Sequence, residues 1–362
     1  MKKLGFGLMR LPMNGEEVDI ETSKKMVDSF IENGFNYFDS ARVYLGSKCE
    51  SITKEILTSR YPRESYFLTG KLSPSCFEKE EDIVPLFESQ LSDLGVDYLD
   101  YYLMHSQHKG NYQKFKDCRA YEIAEELKKA GKTRHVGISF HDTADFLETI
   151  LSEQPMIEAV QLQFNYMDYD SPTVQARQCY EVARKFGKDV LIMEPVKGGS
   201  LTNIPDEAKA VFASVGSASP ASYAIRYAAG FDGVICVLSG MSTPEQMADN
   251  MSFMSDFKPL STEEKGAVEK VKSIINSKYL IPCTACKYCV DGCPMNIPIP
   301  RLFSCLNGKK AYGDVYAKAK YDHVTEEKGK ASDCIKCGAC EDSCPQKLDI
   351  RDLLEEVARE FD

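Results

Sequence analysis

The sequence predicts an α/β fold, a (β/α)₈ barrel followed by a smaller and largely helical domain. Over residues 1 to about 278, short apolar runs alternate eight times with longer amphipathic stretches, which is typical of parallel strands connected by helices. Beyond the helical pattern at 261–275 the composition changes abruptly, and eight of the 14 cysteines form two short runs. We therefore predict one domain over residues 1–278 and a second over residues 279–362.

Eight apolar runs are the predicted strands, and a TIM barrel contains eight. They cover residues 4–9, 35–39, 66–69, 99–105, 135–139, 159–164, 190–193 and 234–238. Ile83, Phe87, Leu91 and Leu94 share one face of a helix predicted over 80–95, which Gly95 ends. Barrels of this kind carry their chemistry at the C-terminal ends of the strands, so functional residues are sought there.

Short signatures predict the starts of other helices. Ser47 with Glu50, and Ser261 with Glu264, have the spacing of a capping box, whose hydroxyl and carboxylate accept hydrogen bonds from free amides. We therefore assign these four residues to helix ends and not to catalysis. In the second domain, apolar patterns predict helices around 299–306, 312–321 and 349–359.

Composition and charge argue against several classes of function. The formal net charge is −11 and no block of lysine and arginine stands out, so nucleic acid and anionic membranes are not expected partners. The N-terminal apolar run is interrupted by Arg10 and is too short for a signal peptide or a membrane span. We therefore expect a cytoplasmic protein whose partners are small molecules and redox proteins.

The two cysteine runs have the same spacing. CTACKYCVDGCP begins at Cys283 and CIKCGACEDSCP begins at Cys334, so the pattern CxxCxxCxxxCP occurs twice. In iron–sulfur proteins, three thiolates on such a loop bind one cubane while the fourth reaches to another cluster. Zinc sites usually divide four thiolates between two CxxC pairs with a longer gap, and nothing in the chain suggests secretion with a disulfide framework. The spacing therefore favours [4Fe–4S] clusters.

This cysteine-rich segment resembles a bacterial two-cluster ferredoxin. By that resemblance, one [4Fe–4S] cluster is bound by Cys283, Cys286, Cys289 and Cys344, and the other by Cys334, Cys337, Cys340 and Cys293. The remaining cysteines are expected to be reduced, buried or half-buried thiols, including Cys305 between the two runs.

Four side chains that can move protons or orient a substrate lie at or just after the ends of predicted strands. Asp39 ends the second run and Tyr44 follows in FDSARVY, Lys71 ends LTGK, and His105 stands in LMHS. With the opening LGFGLMRLP, and with VQLQFN and EPVKGG further on, they resemble the aldo/keto reductase family. The resemblance covers nearly the whole first domain and implies a barrel that reduces carbonyl groups with a nicotinamide.

The resemblance also implies a role for each member of this tetrad, Asp39, Tyr44, Lys71 and His105. Tyr44 is expected to be the general acid, donating its phenolic proton to a carbonyl oxygen as hydride reaches the carbon. Because an unperturbed tyrosine has a pKa near ~10, Lys71 is expected to lower it, while Asp39 keeps the lysine charged and in place. His105 is expected to donate a hydrogen bond to the carbonyl oxygen and orient it.

Matching positions give an expected set of nucleotide contacts. They are Gly7, Leu8, Ser139, Gln163, Met193, Glu194, Gly199, Ser239, Gly240, Gln246 and Asn250. Ser139 matches a serine that contacts the carboxamide, whereas Met193 replaces an aromatic residue that generally stacks on the nicotinamide. Thr243 and Gln246 are better explained as a helix N-cap and its partner. Since no basic residue stands in this loop, where relatives bind the 2′-phosphate, NADH is expected over NADPH, or else a different cofactor.

The two predicted domains carry electrons in different ways. Clusters transfer one electron at a time and a nicotinamide takes two as hydride, so a flavin such as FMN, able to do both, is a hypothesis for the phosphate-binding loops at 197–200 and 239–242. We predict an iron–sulfur oxidoreductase acting on a small organic carbonyl or related substrate, which exchanges electrons with ferredoxin or another redox protein. The alternatives are an ordinary NAD(P)H-dependent carbonyl reductase with structural or sensory clusters, and an electron carrier whose barrel is not catalytic.

Overall fold

Eight parallel strands close into a TIM barrel, which confirms the predicted fold class. The computed structural model describes residues 2–172, 174–277, 281, 283, 288–344 and 348–362. The barrel strands are β1 (Leu4–Gly7), β4 (Tyr37–Asp39), β5 (Phe67–Leu72), β6 (Leu99–Gln107), β7 (Thr133–Phe140), β8 (Ala159–Gln163), β9 (Asp189–Met193) and β10 (Val234–Ser239). A hairpin of β2 (Met13–Asn14) and β3 (Glu17–Val18) follows β1. Each barrel strand pairs with the next, and β1 closes the ring between β4 and β10.

Helices follow the barrel strands and make up most of the C-terminal part. They are α1 (Ile20–Glu32), α2 (Cys49–Thr53), α3 (Glu80–Leu94), α4 (Lys109–Asp117), α5 (Ala120–Lys129), α6 (Ala144–Glu153), α7 (Ala176–Lys185), α8 (Asp206–Val215), α9 (Pro220–Ala229), α10 (Pro244–Met254), α11 (Thr262–Ser277), α12 (Tyr288–Asp291), α13 (Ile299–Tyr312), α14 (Ala317–Thr325), α15 (Ala339–Asp342) and α16 (Ile350–Phe361). In the described ranges, no helix combines the length and the apolar character needed to cross a bilayer.

Apolar side chains fill the inside of the barrel. Tyr37, Leu103, Leu191 and Cys236 pack there and are fully buried. Gly5 on β1 is required by this packing, because a Cβ at position 5 would lie 2.6 Å from the Cys236 sulfur. The interior is therefore a packed core. A functional site is expected at the ends of the strands.

α3 shows how the helices cover the barrel. Its buried face carries Ile83, Phe87, Leu91 and Leu94, the residues selected by periodicity. Gly95 ends the helix with a left-handed φ of 67°, which costs glycine little because it has no Cβ. The predicted helix over 80–95 is therefore confirmed.

The predicted capping box at Ser47 and Glu50 is wrong. Lys48 is the N-cap of α2, and Ser47 lies outside the helix with a left-handed φ of 67°. Glu50 is buried, accepts a hydrogen bond from Gln90 at 2.7 Å and pairs with Arg42 at 2.9 Å. Its carboxylate serves the tertiary structure and not the helix end.

The chain divides into two compact units. The first comprises the residues up to Lys197 together with Ala221–Ser261, and it holds the barrel. The second comprises Gly198–Pro220 and Thr262–Asp362, so that α8 and α11 pack against each other within it. The predicted boundary near 278 falls outside the described residues and stays a prediction.

The second unit has its own apolar core. Leu302 and Leu306 of α13, Tyr321 of α14 and Phe361 of α16 are buried in it. The rings of Tyr321 and Phe361 stack with 5.0 Å between their centroids. Helical structure at 299–306 and 349–359 agrees with the sequence prediction, whereas α14 begins five residues later than predicted from 312–321.

Candidate active site and metal centre

The four residues predicted as a tetrad meet at the C-terminal mouth of the barrel. Lys71 Nζ lies 2.5 Å from Asp39 Oδ2 and 3.1 Å from the Tyr44 hydroxyl oxygen. The ring of His105 meets the ring of Tyr44 edge-on, with 5.8 Å between their centroids. The structure therefore brings the predicted tetrad together in one site.

Strand register and one tight turn place these groups. Asp39 of β4 lies opposite Thr69 of β5, so Lys71 follows two residues further along the neighbouring strand. Tyr44 comes from the turn after β4, where Leu45 has a left-handed φ of 53°. Such conformations are costly for residues with a side chain and are concentrated at functional sites.

The Lys71 amine is completely buried and charged. Burial acts to lower its pKa, but the Asp39 carboxylate and the Tyr44 phenol raise the pKa above the ordinary lysine value. Nζ also donates to the Ser40 carbonyl oxygen at 3.0 Å. With three acceptors around its three N–H groups, the ammonium is held as a cation in a fixed position.

The pKa of Tyr44 is raised, which differs from the expected lowering. Burial of the phenol raises it, and the charge of Lys71 acts in the opposite direction without cancelling the effect of burial. Lys71 lowers the pKa as expected, but burial, which residue spacing does not show, has the larger effect. The phenol is therefore firmly protonated at neutral pH, which is the state that a proton donor requires.

His105 is neutral. Burial, followed by repulsion from Lys71 and His141, lowers the pKa of its imidazole to about 3. Ser73 Oγ lies 2.7 Å from His105 Nδ1. A neutral imidazole carries a proton on only one ring nitrogen, so this contact bears on which nitrogen can donate.

Gln161 is a site residue that the sequence reasoning missed. From β8 its Nε2 donates to Asp39 Oδ1 at 3.0 Å, and the side chain is buried. The signal was present in VQLQFN. Gln161 lies two residues after Ala159 and therefore shares the face of β8 that points into the barrel. The predicted Gln163 instead donates to Asp168 Oδ2 at 2.9 Å.

A second missed group supports the backbone at Lys71. Gln90 of α3 donates from Nε2 to the Lys71 carbonyl oxygen at 3.1 Å and to Glu50 at 2.7 Å. The Tyr102 hydroxyl donates to Gln90 Oε1 at 3.2 Å. Burial raises the pKa of Glu50, which Gln90 and Arg42 oppose. These buried polar groups fix the end of β5 from the helix side.

The predicted nucleotide contacts on β1, β7 and β10 lie in different surroundings. Gly7 adjoins Ser239, since a Cβ at position 7 would lie 3.6 Å from the Ser239 carbonyl oxygen, and Asn250 donates to Ser239 Oγ at 2.8 Å. Ser139 Oγ accepts from the Ser106 amide at 2.7 Å. In contrast, Leu8 is buried in the apolar core.

The segment after β9 contains the remaining predicted contacts. Met193 is half-buried at the end of the strand, and Glu194 is exposed with a left-handed φ of 55°. Lys197 Nζ pairs with Asp168 Oδ1 at 2.5 Å. Gly199 belongs to the second compact unit.

The loop before α10 has a basic neighbour that sequence reasoning missed. Thr243 caps α10 by accepting from the Gln246 amide at 3.3 Å, and Gln246 Oε1 accepts from the Ser242 amide at 2.8 Å, which confirms the predicted cap. Arg10 packs on Gly240, where a Cβ would lie 3.1 Å from Arg10 Cδ, and its carbonyl oxygen accepts from Ser242 at 2.9 Å. NADH was expected because the loop sequence contains no basic residue. In the folded chain Arg10 supplies a basic side chain next to this loop.

The third cysteine of each run lies on a short helix of the second unit. Cys289 belongs to α12 and Cys340 to α15, both are buried, and the two helices pack against each other. Cys344 is also buried, whereas Cys283 is half-buried. Cys286 lies outside the described residues.

One cavity of the second unit gathers cysteines from both runs. Cys293 of the first run lines it together with Cys334, Cys337 and Cys340 of the second, and Ile297 contributes to its apolar wall. These are the four ligands that the ferredoxin resemblance assigns to one cluster. Four thiols around an apolar cavity fit a [4Fe–4S] cluster, whose iron atoms are bound by thiolates.

The arrangement of the thiols around the cavity differs from that of ligands around a single metal ion. Burial raises the pKa of the Cys340 thiol, and the nearby Glu341 carboxylate adds to the effect. Within the described part of the chain, no group of three or more metal-binding side chains converges on one ion. A cubane does not need such convergence, because each thiolate binds a different iron at a different corner.

Comparison with known proteins identifies both parts of the chain. A profile of the aldo/keto reductase family matches residues 3–273. The chain belongs to the aldo/keto reductase family. A profile of the 4Fe-4S dicluster domain matches residues 282–348, so this aldo/keto reductase is an iron–sulfur oxidoreductase.

Relatives of this chain match it over most of the barrel. An aldo-keto reductase of Mycobacterium avium is 28% identical over 273 residues, which are 74% of this chain and 85% of the relative. The uncharacterized oxidoreductase YtbE of Bacillus subtilis is 27% identical over 211 residues, 57% of this chain and 68% of the relative.

Solved structures of aldo-keto reductases share the fold. One from Bacillus halodurans in its holo form has a TM-score of 0.61 at 23% identity, covering 74% of this chain and 91% of its own. One from Klebsiella pneumoniae in complex with NADPH has a TM-score of 0.60 at 19% identity, covering 75% and 90%. Both likenesses concern the architecture of the barrel.

Proposed function

We propose that the barrel reduces a carbonyl group of a small organic molecule, or oxidises the corresponding alcohol. The observation that carries the proposal is the Lys71 amine, fully buried at the barrel mouth, 2.5 Å from Asp39 and 3.1 Å from the Tyr44 hydroxyl. A fixed cation beside a phenol stabilises the phenolate that remains after proton donation. The tetrad is therefore suited to proton transfer at one oxygen atom.

In the proposed reaction, carbonyl reduction needs one hydride at carbon and one proton at oxygen. A bound nicotinamide supplies the hydride. Tyr44 donates its proton to the oxygen as negative charge develops there, and its oxygen keeps the electron pair beside Lys71. His105, neutral and next to the Tyr44 ring, donates a hydrogen bond to the same oxygen. In the reverse direction Tyr44 takes the proton back.

The raised pKa of Tyr44 is compatible with this role. Burial holds the proton on the phenol until an acceptor arrives. As hydride adds to the carbonyl carbon, the oxygen atom approaches an alkoxide, which is more basic than a phenolate. Proton transfer from Tyr44 is therefore downhill once hydride transfer is under way, and Lys71 increases the driving force.

The residues at the mouth are suited to a nicotinamide dinucleotide. Ser139, Ser239 and Asn250 offer polar groups, and the cationic side chain of Arg10 packs against Gly240, shortly before the capped start of α10. The Klebsiella relative binds NADPH. We therefore propose NADPH or NADH as the hydride source, with Arg10 favouring NADPH. FMN gains no support from these relatives.

The cysteine runs are the proposed ligands of two [4Fe–4S] clusters, which supply one-electron transfer when bound. A ferredoxin or another redox protein is the proposed electron donor or acceptor of the clusters, and two such electrons with one proton would be needed to regenerate one hydride on the nicotinamide. The cytoplasm, where thiols stay reduced, is the proposed location. The alternative is that the clusters are structural or sensory, and it is favoured by the burial of Cys289, Cys340 and Cys344 in the core of the second unit.

A matched pair of tyrosine variants tests the barrel reaction. Anaerobically purified protein is assayed with NADPH and with NADH against a panel of aldehydes and ketones. Tyr44→Phe is expected to lower the rate about a hundredfold or more, because it removes the proton donor and leaves the ring. Tyr316→Phe, the same change at an exposed position, is expected to have no effect. Full activity of Tyr44→Phe contradicts the proposal and leaves the electron-carrier alternative.

A cysteine variant separates the two roles of the clusters. Cys289→Ser is expected to lower the iron content and to abolish carbonyl reduction driven by reduced ferredoxin. Reduction driven directly by NAD(P)H is measured in the same preparation. If iron is lost and ferredoxin-driven turnover persists, the clusters are not on the electron path. If only the melting temperature falls, the structural alternative is correct.

A further inference from the structure

The hydroxyl of Ser73 and the imidazole of His105 form a buried pair at the barrel mouth. Ser73 Oγ lies 2.7 Å from His105 Nδ1, a normal hydrogen-bond length, and Ser73 is 2% exposed. Across the described residues, the structure records no second hydrogen bond for this hydroxyl. Its proton therefore has one acceptor within reach, the ring nitrogen.

This geometry decides the direction of the hydrogen bond. A serine hydroxyl has one proton to donate, and a buried donor that lacks an acceptor is destabilising. If Nδ1 carried the imidazole proton and donated it to Ser73, the serine proton would be left without an acceptor. The favoured arrangement is donation from Ser73 to a bare Nδ1, which places the single imidazole proton on Nε2.

The charges around His105 keep the ring neutral, so this choice of nitrogen matters. Lys71 faces it from β5, His141 from the residue after β7, and the Tyr44 phenol from the turn after β4. Among the described residues no carboxylate contributes to the ionisation of His105, and burial together with the lysine charge holds its pKa at about 3. The ring therefore donates from only one nitrogen at physiological pH.

We propose that Ser73 is a positioning residue that selects the Nε2–H tautomer of His105 and thereby makes His105 a hydrogen-bond donor to the carbonyl oxygen. The donor role of His105 rests on the proposed function, whereas the tautomer rests on the contact alone. Ser73 follows Lys71 by two residues, which places both side chains on the same side of an extended segment. One short stretch, KLS, thus supplies both the cation beside Tyr44 and the group that orients the second donor.

A spectroscopic experiment tests the tautomer without using activity. The protein is labelled with ¹⁵N-histidine and purified with its clusters, and nitrogen–proton correlations show which ring nitrogen of each of the five histidines carries hydrogen. His105→Gln identifies the His105 signals by their disappearance. Wild type and Ser73→Thr are expected to show the proton on Nε2. Ser73→Val, which matches threonine in shape but lacks the hydroxyl, is expected to shift the population toward Nδ1–H.

The backbone tolerates this pair of variants. Ser73 is extended, with φ −83° and ψ 137°, a conformation that β-branched residues favour. Ser73→Ala gives the same spectroscopic comparison if Ser73→Val does not fold. A wild-type signal with hydrogen on Nδ1, or an unchanged Nε2–H signal in the variants without the hydroxyl, overturns the proposal.

A kinetic double-mutant cycle tests whether the tautomer matters for the reaction. Ser73→Val is expected to lower kcat/KM for carbonyl reduction about tenfold relative to Ser73→Thr, mainly through kcat. In a His105→Gln background, where the side chain has no tautomers, the same change is expected to have no effect. Equal losses in both backgrounds would mean that Ser73 acts through the general structure. If the barrel has no carbonyl reductase activity, the spectroscopic result still decides the tautomer.

Discussion

At the scale of single residues, burial of the Lys71 ammonium costs the site a large desolvation free energy. Removing an ammonium group from water costs several kcal/mol, which only close partners can offset. Asp39, the Ser40 carbonyl and Tyr44 are those partners, and Gln161 holds the far oxygen of Asp39. The fold therefore maintains a charge arrangement that contributes little to stability by itself, which is expected where function requires the charge.

Removing one member of the buried ion pair is expected to destabilise the fold and to stop the reaction. Lys71→Met leaves Asp39 charged and unpaired, so we expect a loss of about 3 kcal/mol in the free energy of unfolding. Carbonyl reduction is expected to fall about a hundredfold or more. Urea unfolding and steady-state kinetics measure the two effects.

The double variant Asp39→Asn/Lys71→Met serves as the control. It removes both charges, so most of the stability is expected to return while activity stays lost. A double variant as unstable as the single one would show that the cost comes from packing and not from charge.

The pH dependence of the reaction follows from the tetrad. His105, with a pKa of about 3, does not titrate near neutrality, and the raised pKa values of Tyr44 and Lys71 keep both groups protonated. We therefore expect kcat/KM to be flat between about pH 5 and pH 9 and to fall only at higher pH, as Tyr44 loses its proton. An ionisation near pH 6.5 that disappears in His105→Gln would contradict this expectation.

The same histidine is expected to make the fold sensitive to acid. In the unfolded chain His105 binds a proton below about pH 6.5, whereas in the folded protein it does so only near pH 3. The unfolded state therefore binds more protons between these values, and stability falls as the pH falls through this window. Urea unfolding at pH 7 and pH 5 is expected to show a smaller loss of stability for His105→Gln than for wild type.

At the scale of secondary-structure elements, the end of β1 and the start of α10 form one surface. Arg10 lies against Gly240, shortly before the Thr243 N-cap of α10. Because a guanidinium strengthens phosphate binding, Arg10→Ala is expected to raise KM for NADPH about tenfold and to change KM for NADH little. Steady-state titrations with both cofactors measure this difference.

The matched control is Arg119→Ala, the same change at an arginine exposed elsewhere on the first unit. It is expected to leave both KM values unchanged. Equal weakening of NADPH and NADH by Arg10→Ala would mean that Arg10 contacts a group common to both cofactors.

The elements themselves could be predicted where periodicity is strong. The eight strands follow from short apolar runs between amphipathic stretches, and α3 follows from apolar residues at helical spacing. Both patterns arise because burial selects apolar side chains. The helix start at Ser47 could not be predicted, since Glu50 has the right spacing for a cap but is drawn into the protein by Gln90 and Arg42. A tertiary contact outweighed the local signal there.

The site could be predicted only in part, for related reasons. Asp39, Tyr44, Lys71 and His105 stand at strand ends and carry chemistry that strand position makes visible. Gln161 could not be predicted, because Gln161 and Gln163 lie on the same face of one strand. The sequence does not show which of the two contacts Asp39. Contacts between residues far apart in the chain, such as Arg10 with Gly240, leave no local pattern.

At the scale of the whole molecule, the cysteine cavity of the second unit is the feature to test. Cys293→Ala is expected to lower the iron content by half or more, because it removes a thiol that the cavity places with Cys334, Cys337 and Cys340. Iron and sulfide analysis and the visible absorption spectrum measure the loss. Cys305→Ala, a buried cysteine outside both runs, is expected to keep its iron. Full iron in Cys293→Ala contradicts the proposed pairing.

Because Cys293 lies with the thiols of the other run, the order of biosynthesis is constrained. Under the proposed pairing, neither half of the domain holds a full ligand set while the second run is still inside the ribosome. Assembly of either cluster must then wait until the second run has left the ribosome.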